Sequence, residues 1–298
     1  MKTFQTPRRQ RGVTLIELMV GLTIGLLVIA AAMGALMVSR GISGTVSDAS
    51  GIQQQGAYIL RVLGQQLRQA GSLYLNPDPA GVASTDVLSP VVFEIKASAH
   101  GGGNSFEQQD TLVGGDDSVT TGFRRYQDNV FASNGTEADL STDPPTPAVA
   151  GTDFLSRNCV GAPGNTKTDE RIESIFTFTD GNLRCGGNGA AAQAIAQNVA
   201  QFQVTYLVQT TDAAGTKVQY TEGSDMPTAA ADPAWRSVQG VQVCLVLYGS
   251  EAIAMPAGSS YTDCGGNSVD MTTLTGPRNN RMHLLLRNTY QLRSQGLL

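Results

Sequence analysis

The sequence predicts an α+β fold in which a long N-terminal helix packs against a mainly antiparallel β-sheet head. Two patterns predict it. Val13 to Val38 is an apolar run of 26 residues with one charge, Glu17, and no proline, and after Arg40 the positions Ile52, Ile59, Leu60, Leu63 and Leu67 recur at near-helical spacing up to Ala70-Gly71. Beyond residue 71 the chain breaks into short β-rich runs separated by polar loops, with no internal repeat and no second core signature.

At about 1.5 Å per residue the apolar run spans roughly 39 Å, more than the roughly 30 Å hydrocarbon core of a bilayer. It is long enough to cross a membrane. The basic run Arg8-Arg9-Gln10-Arg11 just before it is expected to stay cytoplasmic, which places everything after Val38 outside. Three readings fit such a segment: a secretory signal cleaved after Ala30-Ala31-Ala32, a plain membrane anchor, and a signal whose apolar part survives cleavage. The first is disfavoured because the stretch is longer than a usual signal core and holds a carboxylate. An ionisable group costs up to about 2.5 to 3.5 kcal/mol at the membrane centre and less near the interface, so Glu17 asks for a partner unless it snorkels to the headgroups. Gly21 and Gly25 form a GxxxG step that would let helices approach closely, although glycine is also simply common in membrane helices.

The second half of the helix, residues 42–70, is amphipathic and continues the first, residues 13–38. A coiled-coil stalk and an independent surface helix are the alternatives. Gly51, Gly56 and Gly64 weaken the stalk, since each glycine costs about 1 kcal/mol against alanine.

Strands are predicted at Val87 to Lys96, Val119 to Tyr126, Arg171 to Thr179, Phe202 to Gln209, Val241 to Tyr248 and Met282 to Tyr290. In the fifth, Val241, Val243, Leu245 and Leu247 share one face while Cys244 and Val246 occupy the other, as in a central strand buried on both sides. Gln193 to Gln201 reads as a short helix or turn leading into the fourth strand, and Asp212 to Gly215 as a hairpin turn leading to Lys217-Val218-Gln219-Tyr220. Three polar stretches read as loops: Gly101 to Asn104, Ser133 to Gly151 with its three prolines, and Ser224 to Pro233.

The formal net charge of -5 is unevenly spread. Lys2, Arg8, Arg9 and Arg11 fall in the first twelve residues, so the rest of the chain holds 16 basic against 25 acidic residues, an excess of nine acids. Such a body is a poor match for a phosphate backbone, and no nucleic-acid partner is expected. The four cysteines, Cys159, Cys185, Cys244 and Cys264, form no CxxC, and the chain has two histidines, His100 and His283. Two disulfides in an oxidising compartment would use every cysteine, and of three connectivities the sequence-neighbour pairing, 159 with 185 and 244 with 264, is preferred. Four reduced core cysteines remain the alternative.

The segment Arg11-Gly12-Val13-Thr14-Leu15-Ile16-Glu17-Leu18 carries a specific pattern: a short basic leader, a glycine, then an apolar helix with glutamate at its fifth position. It resembles the class III signal of type IV pilins and type II secretion pseudopilins. The resemblance implies a pilin-like fold, cleavage by prepilin peptidase between Gly12 and Val13, and N-methylation of Val13. It also implies that Glu17 acts in assembly, offsetting the new ammonium of a neighbouring subunit at a helix N-terminus whose dipole is already positive. Val13 departs from the phenylalanine that usually opens such helices, which bears on the methylation. The domains implied are a leader over 1–12, a helix over 13–71 and a periplasmic head over 72–298.

The resemblance continues into the head, towards PilW-type minor pilins, through Asp110-Thr111-Leu112, Asn158-Cys159-Val160-Gly161, Leu183-Arg184-Cys185, Asn198-Val199, Trp235 with Val238, and Leu286-Arg287-Asn288. What it implies is a minor pilin of the bacterial inner membrane, single-pass with a periplasmic head, later part of a surface filament. Its partners would be other minor and major pilins, prepilin peptidase and the inner-membrane pilus assembly machinery. A type II secretion pseudopilin and a non-polymerising, membrane-anchored periplasmic binding module are the alternatives.

Catalysis finds no home in the sequence: GxGxxG, Walker A, GxSxG and HExxH are absent, so no enzyme activity, cofactor or metal is expected. Asp116-Asp117 with Asp110 lack EF-hand spacing and read as a solvated turn. His283, in an apolar run, reads as a satisfied structural histidine, and Trp235 as a core residue.

Overall fold

The computed structural model describes residues 12–71, 111–125, 154–164, 171–213, 215–230 and 232–292, and the backbone of short strands at 75–76, 92–93, 96–97, 106–107, 128–130 and 151–153. Met1 to Arg11, His100, Asp110, the Gly101 to Asn104 loop and residues 131–150 lie outside the described residues, as does most of the predicted strand Val87 to Lys96. The chain divides into two compact units, Met1–Ala49 and Ser50–Leu298, and helix α1 (Leu15–Gln69) contributes to both.

In the first unit, α1 holds Leu15–Met37, 23 residues long and apolar enough to cross a membrane, with none of its apolar window buried. In the second unit the same helix is amphipathic. Ile52, Ile59, Leu63 and Leu67 are buried on one face, and Tyr58, Arg61, Gln65 and Arg68 are exposed on the other. The helix stops where Gly71 takes φ 76°, a left-handed conformation that glycine adopts without steric cost, and the Gly71 amide donates to the Gly122 carbonyl at 2.9 Å.

The head has two main antiparallel sheets. The first is a five-stranded meander, β1 (Leu112–Gly114), β2 (Ser118–Arg124), β3 (Arg171–Thr179), β4 (Asn182–Gly187) and β5 (Ala190–Ala196), each paired with the next. Its β3–β4 and β4–β5 turns are Asp180-Gly181 and Asn188-Gly189, all four at positive φ, the pairs that two-residue hairpins favour. Of the short helix or turn expected over Gln193 to Gln201, the helix is replaced by strand up to Ala196, and the turn is present at Gln197-Asn198, where Asn198 takes φ 55° just before the strand that starts at Val199. Residues Ala190–Ala196 are a strand because the Asn-Gly turn folds them back onto β4, and that pairing overrides the helical propensity of five alanines.

The second sheet runs β7–β6–β8–β11, where β6 is Val199–Asp212, β7 is Gly215–Glu222, β8 is Val238–Ala252 and β11 is Arg281–Gln291; a small hairpin, β9 (Ser260–Thr262) with β10 (Ser268–Asp270), lies between in sequence. The turn between Asp212 and Gly215 falls where the sequence placed it. β8 is the central strand expected: Val241, Val243, Leu245 and Leu247 join the main core with α1, while Cys244 and Val246 pack with Cys264 on the opposite face. Inside the main core, Trp235 is buried edge-on to Tyr206, ring centroids 5.0 Å apart, and its indole N–H donates to the Ala229 carbonyl at 3.2 Å.

Glycines decide how closely α1 approaches β11. A Cβ at Gly56 would run into Leu286, and one at Gly64 into the Tyr290 ring. Gly51, by contrast, faces open space. Two of the three glycines that argue against a coiled-coil stalk are therefore contact points for a sheet.

Candidate assembly site

The N-terminal end of α1 is built by its own sequence. Thr14 is the N-cap: its carbonyl accepts the first helical hydrogen bond, from the Leu18 amide at 3.1 Å. Its hydroxyl oxygen lies 3.3 Å from the Glu17 amide, which donates to it. In return Glu17 Oε2 accepts from the Thr14 amide at 2.9 Å and from the Thr14 hydroxyl at 2.8 Å. This reciprocal arrangement is a capping box, and it satisfies donors that a helix start would leave orphaned. The Thr-x-x-Glu spacing is its signal in the sequence, so Glu17, expected to act in assembly, also caps its own helix. It also explains why α1 begins at Leu15 rather than at Val13.

Gly12 and Val13 precede the cap in non-helical backbone, and a Cβ at Gly12 would meet nothing within 4 Å. Downstream, Leu15, Ile16, Leu18, Met19, Leu22 and Leu26 are all more than half exposed, and Gly21, Gly25 and Gly34 face open space. An apolar helix side of this length must be covered by lipid or by other helices. The structure thus brings Gly12, Val13 and Glu17 to one helix start, beside an apolar surface that no described residue covers.

Two disulfides brace the head. Cys159–Cys185 ties the 154–164 segment to β4, with Cα atoms 6.2 Å apart, and Cys244–Cys264 ties the stretch between β9 and β10 to the outer face of β8, at 5.8 Å. No cysteine is free. Asn158, beside the first bridge, organises its segment by accepting from the Val160 and Ala162 amides and donating to the Gly187 carbonyl at 2.9 Å. Near the second, Arg287 donates to the Cys264 carbonyl at 2.7 Å.

His283 stacks on Tyr261 at 4.5 Å and 9° and lies 5.8 Å from the Tyr248 ring. Its Nδ1 sits 2.8 Å from the Arg281 carbonyl, and its Nε2 faces Arg278 Nε at 3.3 Å. That pattern fits a neutral ring donating from Nδ1 and accepting at Nε2. Burial, with the Arg278 charge, holds its pKa below the ordinary histidine value against the raising effect of the Arg281 carbonyl. Asp116 Oδ1 accepts from the Ser224 amide at 2.9 Å, as a turn residue does, and the described residues hold no cluster of three metal-ligating side chains.

Comparison with known proteins bears on both halves of the chain. Residues 7–33 match the prokaryotic N-terminal methylation motif, and residues 167–294 match the family model of type IV pilus-assembly protein W. A methylation motif on an uncovered apolar helix, joined to an antiparallel head, defines a type IV pilin-like protein. Within that class the head over residues 167–294 is similar to type IV pilus-assembly protein W. Among solved structures, a type IV-like pilin from Thermus thermophilus is similar over 82% of this chain and 98% of that one, at 13% identity and a TM-score of 0.35. No curated protein sequence matches the chain.

Proposed function

We propose that the chain is a minor pilin: inserted by α1, cut by prepilin peptidase between Gly12 and Val13, methylated at Val13, and packed through α1 into a type IV pilus that it helps to initiate. The observation that carries this reading is the capped helix start, with Glu17 inside it, opening onto an apolar surface that no described residue covers. All the cap hydrogen bonds to the carboxylate use Oε2. Glu17 can therefore hold its own helix start and still offer Oε1 to the ammonium of a neighbouring Val13, an interaction strengthened in an apolar surrounding. The role is structural and not enzymatic, in line with the two matched families. Partners are other pilins and the inner-membrane assembly machinery, and the head lies in the periplasm before export of the filament.

The test is the mass of the N-terminal peptide of protein purified from its own host. A peptide starting at Val13, with one added methyl, is the expected result. A start at Met33 or a retained Met1 to Gly12 leader overturns the reading. Processed protein whose loss impairs protein secretion and leaves pili intact would assign it to a secretion pseudopilus instead.

A further inference from the structure

A groove of about 570 Å³ runs between the exposed side of α1 and the end of β11, both within the head unit. Arg61, Gly64, Gln65 and Arg68 form one wall, and Asn288 and Tyr290 the other. The groove is held in shape by packing. The Tyr290 hydroxyl donates to the Leu60 carbonyl at 2.6 Å, the Arg68 guanidinium lies 5.7 Å over the Tyr290 ring, and Gly64 has no side chain where that ring sits.

Arg61 and Arg68 are both exposed, and neither forms an ion pair among the described residues. Among the described residues, none that lines the groove is acidic. Seven residues apart, they stand on one helix face about 10 Å from each other along the axis. On an extended strand, carboxylates two or four residues apart share one face at about 7 or 13 Å, separations that bracket the arginine spacing and that the long arginine side chains span. Between the arginines, the amides of Gln65 and Asn288 present donors and acceptors suited to a peptide backbone.

We propose that this groove docks an extended, carboxylate-bearing segment of another protein, the two arginines pairing with two of its acids. The surrounding charge selects this class of occupant. Past residue 12 the chain carries an excess of nine acids, so a long polyanion such as a nucleic acid meets net repulsion, whereas a short acidic segment needs the local field alone. That the segment belongs to a neighbouring filament subunit rests on the pilin reading; the chemistry of the groove does not.

The test uses the full chain in detergent micelles at low ionic strength, with fluorescein-labelled hexaglutamate followed by anisotropy. Hexaglutamate is expected to bind, weakening as salt is raised, and hexalysine is not. The double variant R61Q/R68Q should lose about fivefold or more in affinity, on the scale of two exposed ion pairs, and R61K/R68K should retain most of it. Thermal unfolding of each variant controls for the fold. Absence of hexaglutamate binding, binding that the R61Q/R68Q variant keeps, or preference for a single-stranded oligonucleotide each overturns the proposal. Because no filament is involved, such a failure leaves the pilin reading standing, while an unprocessed N-terminus removes that reading and leaves the groove intact.

Discussion

At the scale of single residues, Glu17 has two jobs that substitutions can separate. Thr14→Ala removes the cap hydroxyl and keeps the carboxylate, and is expected to cost about 1 kcal/mol at the helix start. Glu17→Gln keeps a capping-box partner and removes the charge. If charge matters for docking, Glu17→Gln should strongly reduce recovery of the chain in sheared filaments, while Thr14→Ala stays near wild type; immunoblots of the sheared fraction check this, and the reverse order would make the cap the functional feature. The glycines allow a similar separation. Alanine at Gly64 gains helix propensity but meets a Tyr290 ring whose hydroxyl is anchored to Leu60, so overpacking should win and destabilise the head by about 1 to 3 kcal/mol. Alanine at Gly51, which faces open space, should be neutral or stabilising by up to about 1 kcal/mol in the same chemical denaturation series.

Among elements, the β9–β10 hairpin is held to the second sheet by the Cys244–Cys264 bridge and by the stack of Tyr261 on His283. His283 is kept neutral, its folded pKa lying below its unfolded value near 6.5, so the unfolded chain takes up this proton first as pH falls. Stability from this group is complete above about pH 6.5 and declines below it. Thermal midpoints should therefore drop between pH 7.5 and 5.5, and His283→Gln should flatten that slope; a slope unchanged by the substitution would place the titration elsewhere. Removing the bridge with Cys244→Ala and Cys264→Ala, 20 residues apart, should lower stability by about 3 kcal/mol through loop entropy, read as a shifted denaturation midpoint. Elements of this kind were unevenly legible. The alternating apolar residues of β8 told of a strand buried on both faces, and the core spacing of α1 told of a helix, because burial writes its period into the sequence. β5 is not legible although Asn188-Gly189 marks its hairpin, since its five alanines suggest helix and pairing with β4 is not a local property.

For the whole molecule, the order of strands in the second sheet depends on contacts far apart in sequence, as where β11 returns to lie beside β8, and no periodicity reports such partners. The groove between α1 and β11 was invisible for the same reason, although Arg61, Gly64 and Arg68 were all in view. What the sequence did carry was the division of labour, because apolar residues with no polar face have no fold of their own to complete. The second unit, Ser50–Leu298, contains the main core, both large sheets and both disulfides, and every described residue of that core belongs to it. Deleting residues 1–49 should then leave a head that is soluble without detergent, with its thermal midpoint within about 3 °C of the full chain, since no core contact is lost. The truncated chain should be absent from filaments and from the membrane fraction. Aggregation or a collapsed midpoint of the truncated head, measured by calorimetry in an oxidising buffer, would show instead that the apolar half of α1 supports the fold, and assembly would no longer be its separate task.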